Sequence, residues 1–259
     1  ILEKSSTKTR VSLEVGMFQI GGNALFLTKN DIQMGRGETI ADTAKVMSRY
    51  VDGMMIRTFE HEIVEELARH ASIPIINALT DDYHPCQVLA DLLTIYERKG
   101  QLSGHKLAFV GDGNNMAHSL LLGCASVGMD CVVAAPEGYE VKASVLKKAQ
   151  ELAKASGAVI SQTFDPVEAV QEADVVYTDV WASMGWEDET DARLQAFADY
   201  QVNAELVSHA KDDFMFMHCL PVHRGEEVTA DIIDGPHSVV FDEAENRLHA
   251  QKAIMASIM

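Results

Sequence analysis

No stretch of the 259-residue chain approaches the ~18 consecutive apolar residues of a membrane-spanning helix, so a membrane span is excluded. Basic residues are also scarce. The chain has 21 Lys and Arg against 39 Asp and Glu, a formal net charge of −18. That acid excess repels phosphodiester backbones and anionic lipid, so neither nucleic acid nor a membrane surface is an expected partner. The 4 cysteines, Cys86, Cys124, Cys131 and Cys219, form no CxxC pair and no dense pattern. A disulfide scaffold is thereby excluded, and reduced thiols in a cytoplasmic compartment are expected. The opening Ile1-Leu2-Glu3-Lys4 has neither an initiator Met nor the basic flank and apolar stretch of a signal peptide, so the natural start is expected upstream. Internal repeats, low-complexity tracts and heptads are absent. What remains, 47% hydrophobic and 23% charged, is the composition of a globular protein with one large or two ordinary domains.

Short β-branched runs alternate with helix-period segments along the whole length, the signature of βαβ units and an α/β fold with mainly parallel sheets flanked by helices. In the first part the pattern predicts helices over Thr9–Gly21, Thr39–Tyr50, His61–His70 and Gln87–Arg98. Strands are predicted at Ala24–Leu27, Gly53–Ile56 and Pro74–Asn77. The polar, Gly-bearing Lys99–Gly104 connection reads as a domain boundary, dividing residues 1–99 from 100–243. Beyond it strands are predicted at Leu107–Val110, Cys131–Ala134, Ala158–Ile160, Val175–Thr178, Phe214–Met217 and Ser238–Phe241, wound in both directions. A last helix, residues 244–259, is apolar enough on one side to pack back on the first domain.

Ligands in open α/β sheets sit beyond the carboxyl ends of the strands, so residues at strand ends are the candidates for chemistry. Ser5-Ser6-Thr7-Lys8-Thr9-Arg10 precedes a helix, where hydroxyls, free backbone N–H groups and cations converge into an anion cradle; the alternative is an ordinary N-cap with a solvated basic turn. Arg57 ends a predicted strand. In His84-Pro85-Cys86-Gln87 an imidazole and an amide stand three residues apart, suited to one small carbonyl-and-amine group, or simply to a structural His ahead of a helix-starting Pro.

Gly111-Asp112-Gly113-Asn114-Asn115-Met116 begins like a dinucleotide fingerprint but has Met116 in place of the third glycine. No acid closes the next strand cleanly, so a nicotinamide cofactor is disfavoured and the Asn amides suit an amino-acid carboxylate better. Asp179, followed by the loop Trp181-Ala182-Ser183-Met184-Gly185, offers a carboxylate for an ammonium; the alternative is a turn-capping Asp and a Trp packed at the rim. Among the 10 His and 4 Cys only His218-Cys219 are adjacent, and in an extended segment their side chains point apart, so no metal is expected. Arg247, at the start of the final helix, is either a surface ion-pair member or a second anion clamp.

Taken in order, Ser6–Arg10, Ile56-Arg57-Thr58, His84-Pro85-Cys86-Gln87, Gly111–Asn115, Asp179 with Ser183-Met184-Gly185, His218-Cys219-Leu220-Pro221 and Ala244–His249 resemble the aspartate/ornithine carbamoyltransferase family over essentially the whole chain. The resemblance implies two domains joined by interdomain helices. One binds carbamoyl phosphate, the other an amino-acid acceptor, and the carbamoyl group passes to the δ-amine of L-ornithine, giving citrulline and phosphate. It implies no cofactor, and a homotrimer whose sites are shared between subunits. By the same resemblance Ser6, Thr7, Lys8 and Thr9 hold the phosphate, and Arg57, His84 and Gln87 hold and polarise the carbamoyl group. Arg247 adds a clamp, and Gln33 reaches into a neighbouring subunit. Asn115, Asp179, Ser183 and Met184 hold the acceptor, with Cys219 and the Leu220 backbone near the reacting groups.

Within the family, aspartate-specific members carry His-Pro-Leu-Pro-Arg where this chain has His218-Cys219-Leu220-Pro221-Val222, so a cationic acceptor is implied. Putrescine and N-acetylornithine remain alternative acceptors, and a catalytically weak ligand-binding homologue remains an alternative role. The family's Ser-Thr-Arg-Thr has Lys8 at its Arg here, and an ammonium lacks the planar fork that grips phosphate through two bonds, so weaker carbamoyl phosphate binding is expected.

Overall fold

The computed structural model of the chain describes residues 1–34, 37–182 and 190–259. Packing divides it into two units, Ile1–Ala90 with Glu245–Met259, and Asp91–Ala244.

The first unit opens with α1 (Thr7–Gln19), started by the Ser6 hydroxyl, which accepts the Thr9 N–H at 3.2 Å. Next come α2 (Ile40–Met47, capped by Thr39), β1 (Met54–Arg57), α3 (His61–His70), β2 (Ile75–Leu79) and the start of α4 (Pro85–Lys99). β1 and β2 pair in parallel, which requires a crossover, and α3 supplies it. Met34, Ala44, Met54, Ile56, Val64 and Leu67 form the core beneath them. The expected strand at Ala24–Leu27 does not form. Among the described residues its partner is Leu2, through one Leu2 N–H bond to the Leu27 carbonyl at 2.9 Å and a single bridge to Thr28. One paired residue cannot extend a ladder, and Leu25 stays exposed.

The second unit is a five-stranded parallel sheet, β3 (Lys106–Val110), β4 (Asp130–Ala134), β5 (Ile160–Thr163), β6 (Val175–Thr178) and β7 (Met215–His218), in the order β5-β4-β3-β6-β7. It carries α5 (Asn115–Val127), α6 (Ala143–Ser156), α7 (Pro166–Val170), α8 (Thr190–Ala196), α9 (Ala204–Val207) and α10 (Ala230–Ile233). α11 (Val240–Ile258) begins here and ends in the first unit, where Met255 packs with Ile76 and Cys86. The chain passes between the units within α4 and within α11, and the polar Lys99–Gly104 connection lies inside the second unit.

Winding reverses between β3 and β6, so their carboxyl ends flank the crevice where an α/β sheet binds ligands. β6 is buried throughout between β3 and β7, and β7, at the edge of the sheet, is buried throughout as well. Two predicted strands differ. β5 starts at Ile160 rather than Ala158, because Gly157 in the left-handed conformation closes α6 and leaves Val159 exposed. The Ser238–Phe241 strand reduces to one bridge, Ser238 to Phe216. Val240 is already helical, and Asp242 and Glu243 in the first turn of α11 favour that start. Gly113, read as part of an incomplete fingerprint, answers to packing. A Cβ there would lie 2.3 Å from the Glu140–Val141 backbone. Among the described residues no helix is long and apolar enough to cross a membrane.

Candidate active site

The first unit assembles cations around a helix start. Thr9 is buried in the first turn of α1, and its hydroxyl receives one from Ser6 at 3.0 Å, so the cradle is pre-ordered. Arg57 is delivered by the end of β1, and its backbone is pinned on both sides: its N–H donates to Ile1 O and its carbonyl accepts from Glu3 N, both at 2.9 Å. His84 closes the β2–α4 loop, with Pro85 starting the helix and Gln87 in its first turn. Arg247, almost fully buried on α11, donates to the Gln87 side-chain oxygen at 2.6 Å and to the Thr9 hydroxyl at 3.4 Å. These bonds bring the Ser6–Thr9 cradle, the α4 start and α11 into one constellation.

The electrostatics agree. Burial first, and then the charges of Arg247, Arg57 and Lys8, push the His84 imidazole well below its ordinary 6.5. His84 is therefore neutral among three cations, and a neutral imidazole still offers one N–H to a carbonyl oxygen. Cys86 lies beneath, donating to the Asn77 carbonyl at 3.4 Å, and burial pushes its thiol up to about 11, so it is packing and not a nucleophile. Arg10 turns outward, to Glu14 at 3.1 Å and over the Phe26 ring at 3.9 Å. A cleft of about 440 Å³ opens beside the cradle, lined by Ser5, Ser6, Thr7, Arg10 and Phe26 among others. Gln33 is exposed.

The second unit assembles acids. Asp179, buried at the end of β6, accepts from the Asn114 amide at 3.1 Å, the Val180 N–H at 2.9 Å and the Cys219 thiol at 3.1 Å. Asn114 also caps α5, its side-chain oxygen taking the Met116 and Ala117 N–H groups at 2.9 and 3.2 Å. The helix start thus orients the amide that orients the carboxylate. Asn115 is the first residue of α5 and half-buried. Asp112 is taken up by Arg193 at 2.7 Å. Trp181 is buried and stacked on Phe197 at 5.8 Å, the packing reading of that residue. Ser183 and Met184 lie outside the described residues.

Behind Cys219 stands a buried network that sequence reasoning missed. His218 Nδ1 accepts the Leu220 N–H at 2.9 Å, so its Nε2 carries the proton and donates to Glu227 at 3.2 Å. Glu243 accepts the His218 backbone N–H at 2.9 Å and the Tyr177 hydroxyl at 3.0 Å, and burial raises its carboxyl pKa. Neither Glu243 nor Glu227 stands out in the sequence as a site residue. The reading that His218 and Cys219 side chains point apart is corrected. One donor atom from each lies within 4.8 Å of the other and of Asp179, because β7 has ended and Leu220, at φ +54°, turns the chain. Both imidazole nitrogens are nevertheless engaged in hydrogen bonds.

Two family models match the chain. The aspartate/ornithine carbamoyltransferase carbamoyl-P binding domain covers residues 1–97, and the Asp/Orn binding domain of the same family covers residues 103–258. An ornithine carbamoyltransferase of Anoxybacillus flavithermus is 65% identical over 259 residues, spanning 100% of this chain and 82% of that protein. One of Bacillus subtilis is 63% identical, spanning 100% and 81%. The solved ornithine carbamoyltransferase of Pyrococcus furiosus is 58% identical with a TM-score of 0.96, over 100% of this chain and 82% of that one.

Proposed function

The chain belongs to the aspartate/ornithine carbamoyltransferase family, and from that premise we propose that it transfers the carbamoyl group of carbamoyl phosphate to the δ-amine of L-ornithine, yielding citrulline and phosphate. The observation that carries the reading is the buried neutral His84 set among Lys8, Arg57 and Arg247, with Arg247 bonded to Gln87 and Thr9. An anionic leaving group attached to a polarisable carbonyl is the ligand that such a set fits.

In the reaction the δ-amine lone pair attacks the carbonyl carbon and negative charge builds on the carbonyl oxygen. Arg57 and His84 donate to that oxygen, each worth about 3–4 kcal/mol when the donor is preorganised and shielded from water. The C–O bond to phosphate then breaks, the proton released by the attacking amine balancing the charge on the departing phosphate, and the leaving hydrogen phosphate dianion rests on the α1 start, Ser6, Thr7, Lys8 and Thr9, with Arg247 fixing Gln87 for the carbamoyl amine. Asp179 takes the acceptor's α-ammonium, and Asn115, with Ser183 and Met184, takes its carboxylate end. Cys219 and the Leu220 carbonyl face the reacting amine as positioning groups, since no covalent enzyme intermediate is needed. The δ-amine has an ordinary pKa near ~10.4 and attacks only when neutral, so the rate rises toward alkaline pH.

Residues 1–99 with 244–259 form the carbamoyl phosphate domain and residues 100–243 the ornithine domain in this reading. The exposed Val11, Val15, Phe18 and Leu25 give the α1 side of the first unit an apolar surface suited to self-association as a trimer, which would carry Gln33 to a neighbour's site. The four free thiols suit the reducing cytoplasm. Citrulline-type product formation, measured with ornithine, N-acetylornithine, putrescine and aspartate side by side, tests the assignment. Ornithine is expected to react fastest by orders of magnitude; a faster rate with any other acceptor, or no product, overturns it.

A further inference from the structure

We propose that the turn His223–Glu227 is a binding site for a borderline divalent cation of the zinc class, separate from the groups that handle the substrates. The turn is closed by the Glu226 N–H to the His223 carbonyl at 3.0 Å and by the Gly225 N–H to the Val228 carbonyl at 2.8 Å, with Gly225 at φ +91°. Closure sets the side chains of residues 223 and 226 next to each other. His223 Nδ1 lies 3.5 Å from Glu226 Oε2 and 4.0 Å from Glu227 Oε2, and the three donor atoms all fall within 4.8 Å of one another.

A tetrahedral ion with bonds of about 2.0–2.2 Å holds its ligand atoms roughly 3.3–3.5 Å apart, so one separation already fits and the others close by small side-chain rotations. One imidazole with two carboxylates is a donor set for zinc, cobalt or nickel rather than for calcium or magnesium, and water supplies the remaining position.

Glu227 is the second, independent observation. It is fully buried, and its Oε1 is used twice, by the His223 N–H at 2.7 Å and by His218 Nε2 at 3.2 Å. Its Oε2 is buried with no hydrogen-bond donor among the described residues, and it lies on the His223 side. A buried carboxylate oxygen left in this way is costly, and a cation at that oxygen satisfies it. The neighbouring positive charge does not compete, because Arg224 is bound by Asp234 through two contacts of 2.9 and 2.7 Å. The Asp179, His218, Cys219 group is a poorer host, its imidazole nitrogens being held by Leu220 and Glu227.

Cobalt titration of the full chain, followed by its visible absorption and by calorimetry with zinc in competition, tests the site. One equivalent is expected to bind with a spectrum free of thiolate charge-transfer absorption. His223→Ala is expected to weaken binding at least about tenfold and Glu226→Gln several-fold, both with unchanged circular dichroism, whereas Cys219→Ala leaves it intact. Failure to bind leaves the turn as an ion-pair cluster only and overturns the proposal. So does binding that survives His223→Ala, or that Cys219→Ala abolishes.

Discussion

The two units solve opposite electrostatic problems with opposite means. The first gathers Lys8, Arg57 and Arg247 around a neutral imidazole and a helix start, while the second sets Asp179 on a thiol and a cap amide and Glu227 and Glu243 on His218. The cations come from three separate segments, α1, β1 and α11, and the fork of Arg247 ties Gln87 to Thr9. The acids are instead held by neutral donors: three on Asp179, two on one oxygen of Glu227, and the His218 N–H and Tyr177 hydroxyl on Glu243. A long, flexible cation can adjust to an anion as it arrives. A short carboxylate that must meet an ammonium has to be aimed in advance.

The comparison breaks most visibly at Arg57. Arg57→Ala is expected to lower kcat by about 10²–10³, the loss of one preorganised donor to a developing oxyanion, with the ornithine KM little changed. Asp179→Asn sharpens the contrast from the other side. Removing its charge is expected to raise the ornithine KM by at least about tenfold, equivalent to ~1.4 kcal/mol, while the carbamoyl phosphate KM stays as it was. Steady-state kinetics with each substrate varied in turn checks both, and a Asp179→Asn effect confined to carbamoyl phosphate would remove the division of labour.

A smaller effect lies in stability. The folded His84 pKa is lowered, so below the ordinary value of 6.5 the unfolded chain takes up a proton that the folded chain refuses. Stability is complete above that pH and falls as the pH drops below it, toward the lowered folded value. Urea midpoints at about pH 7.5 and about pH 5.5 should differ less in His84→Gln than in the parent chain; equal differences would place the imidazole outside the cationic cluster. Smallest is Lys8→Arg. Restoring the planar fork is expected to lower the carbamoyl phosphate KM a few-fold, and an unchanged KM would mean that the ammonium already grips the phosphate as well.

How much of this was legible follows a physical line. His61–His70 reads as α3 and Val175–Thr178 as β6 because periodicity and apolar runs are local properties. Ala24–Leu27 and Ser238–Phe241 look equally strand-like, yet a strand exists only where a partner ladder does, and these segments meet single residues. For the proposed site, strand-end positions and a family resemblance point to Arg57, His84, Gln87, Asp179 and Arg247. Glu227 was invisible, since a glutamate becomes a buried ligand of His218 only through a turn that no local pattern encodes. Asn114 was passed over for Asn115 because the two share a motif, and only coordinates separate the residue that caps α5 and holds Asp179 from the one beside it.

Calorimetric titration of inorganic phosphate, the stable product, into the parent chain, Arg247→Ala and Asp179→Asn tests the division between the units most directly. Arg247→Ala is expected to weaken phosphate binding at least about tenfold, and Asp179→Asn to bind like the parent. Equal weakening in both variants, or weakening in Asp179→Asn alone, would contradict that division.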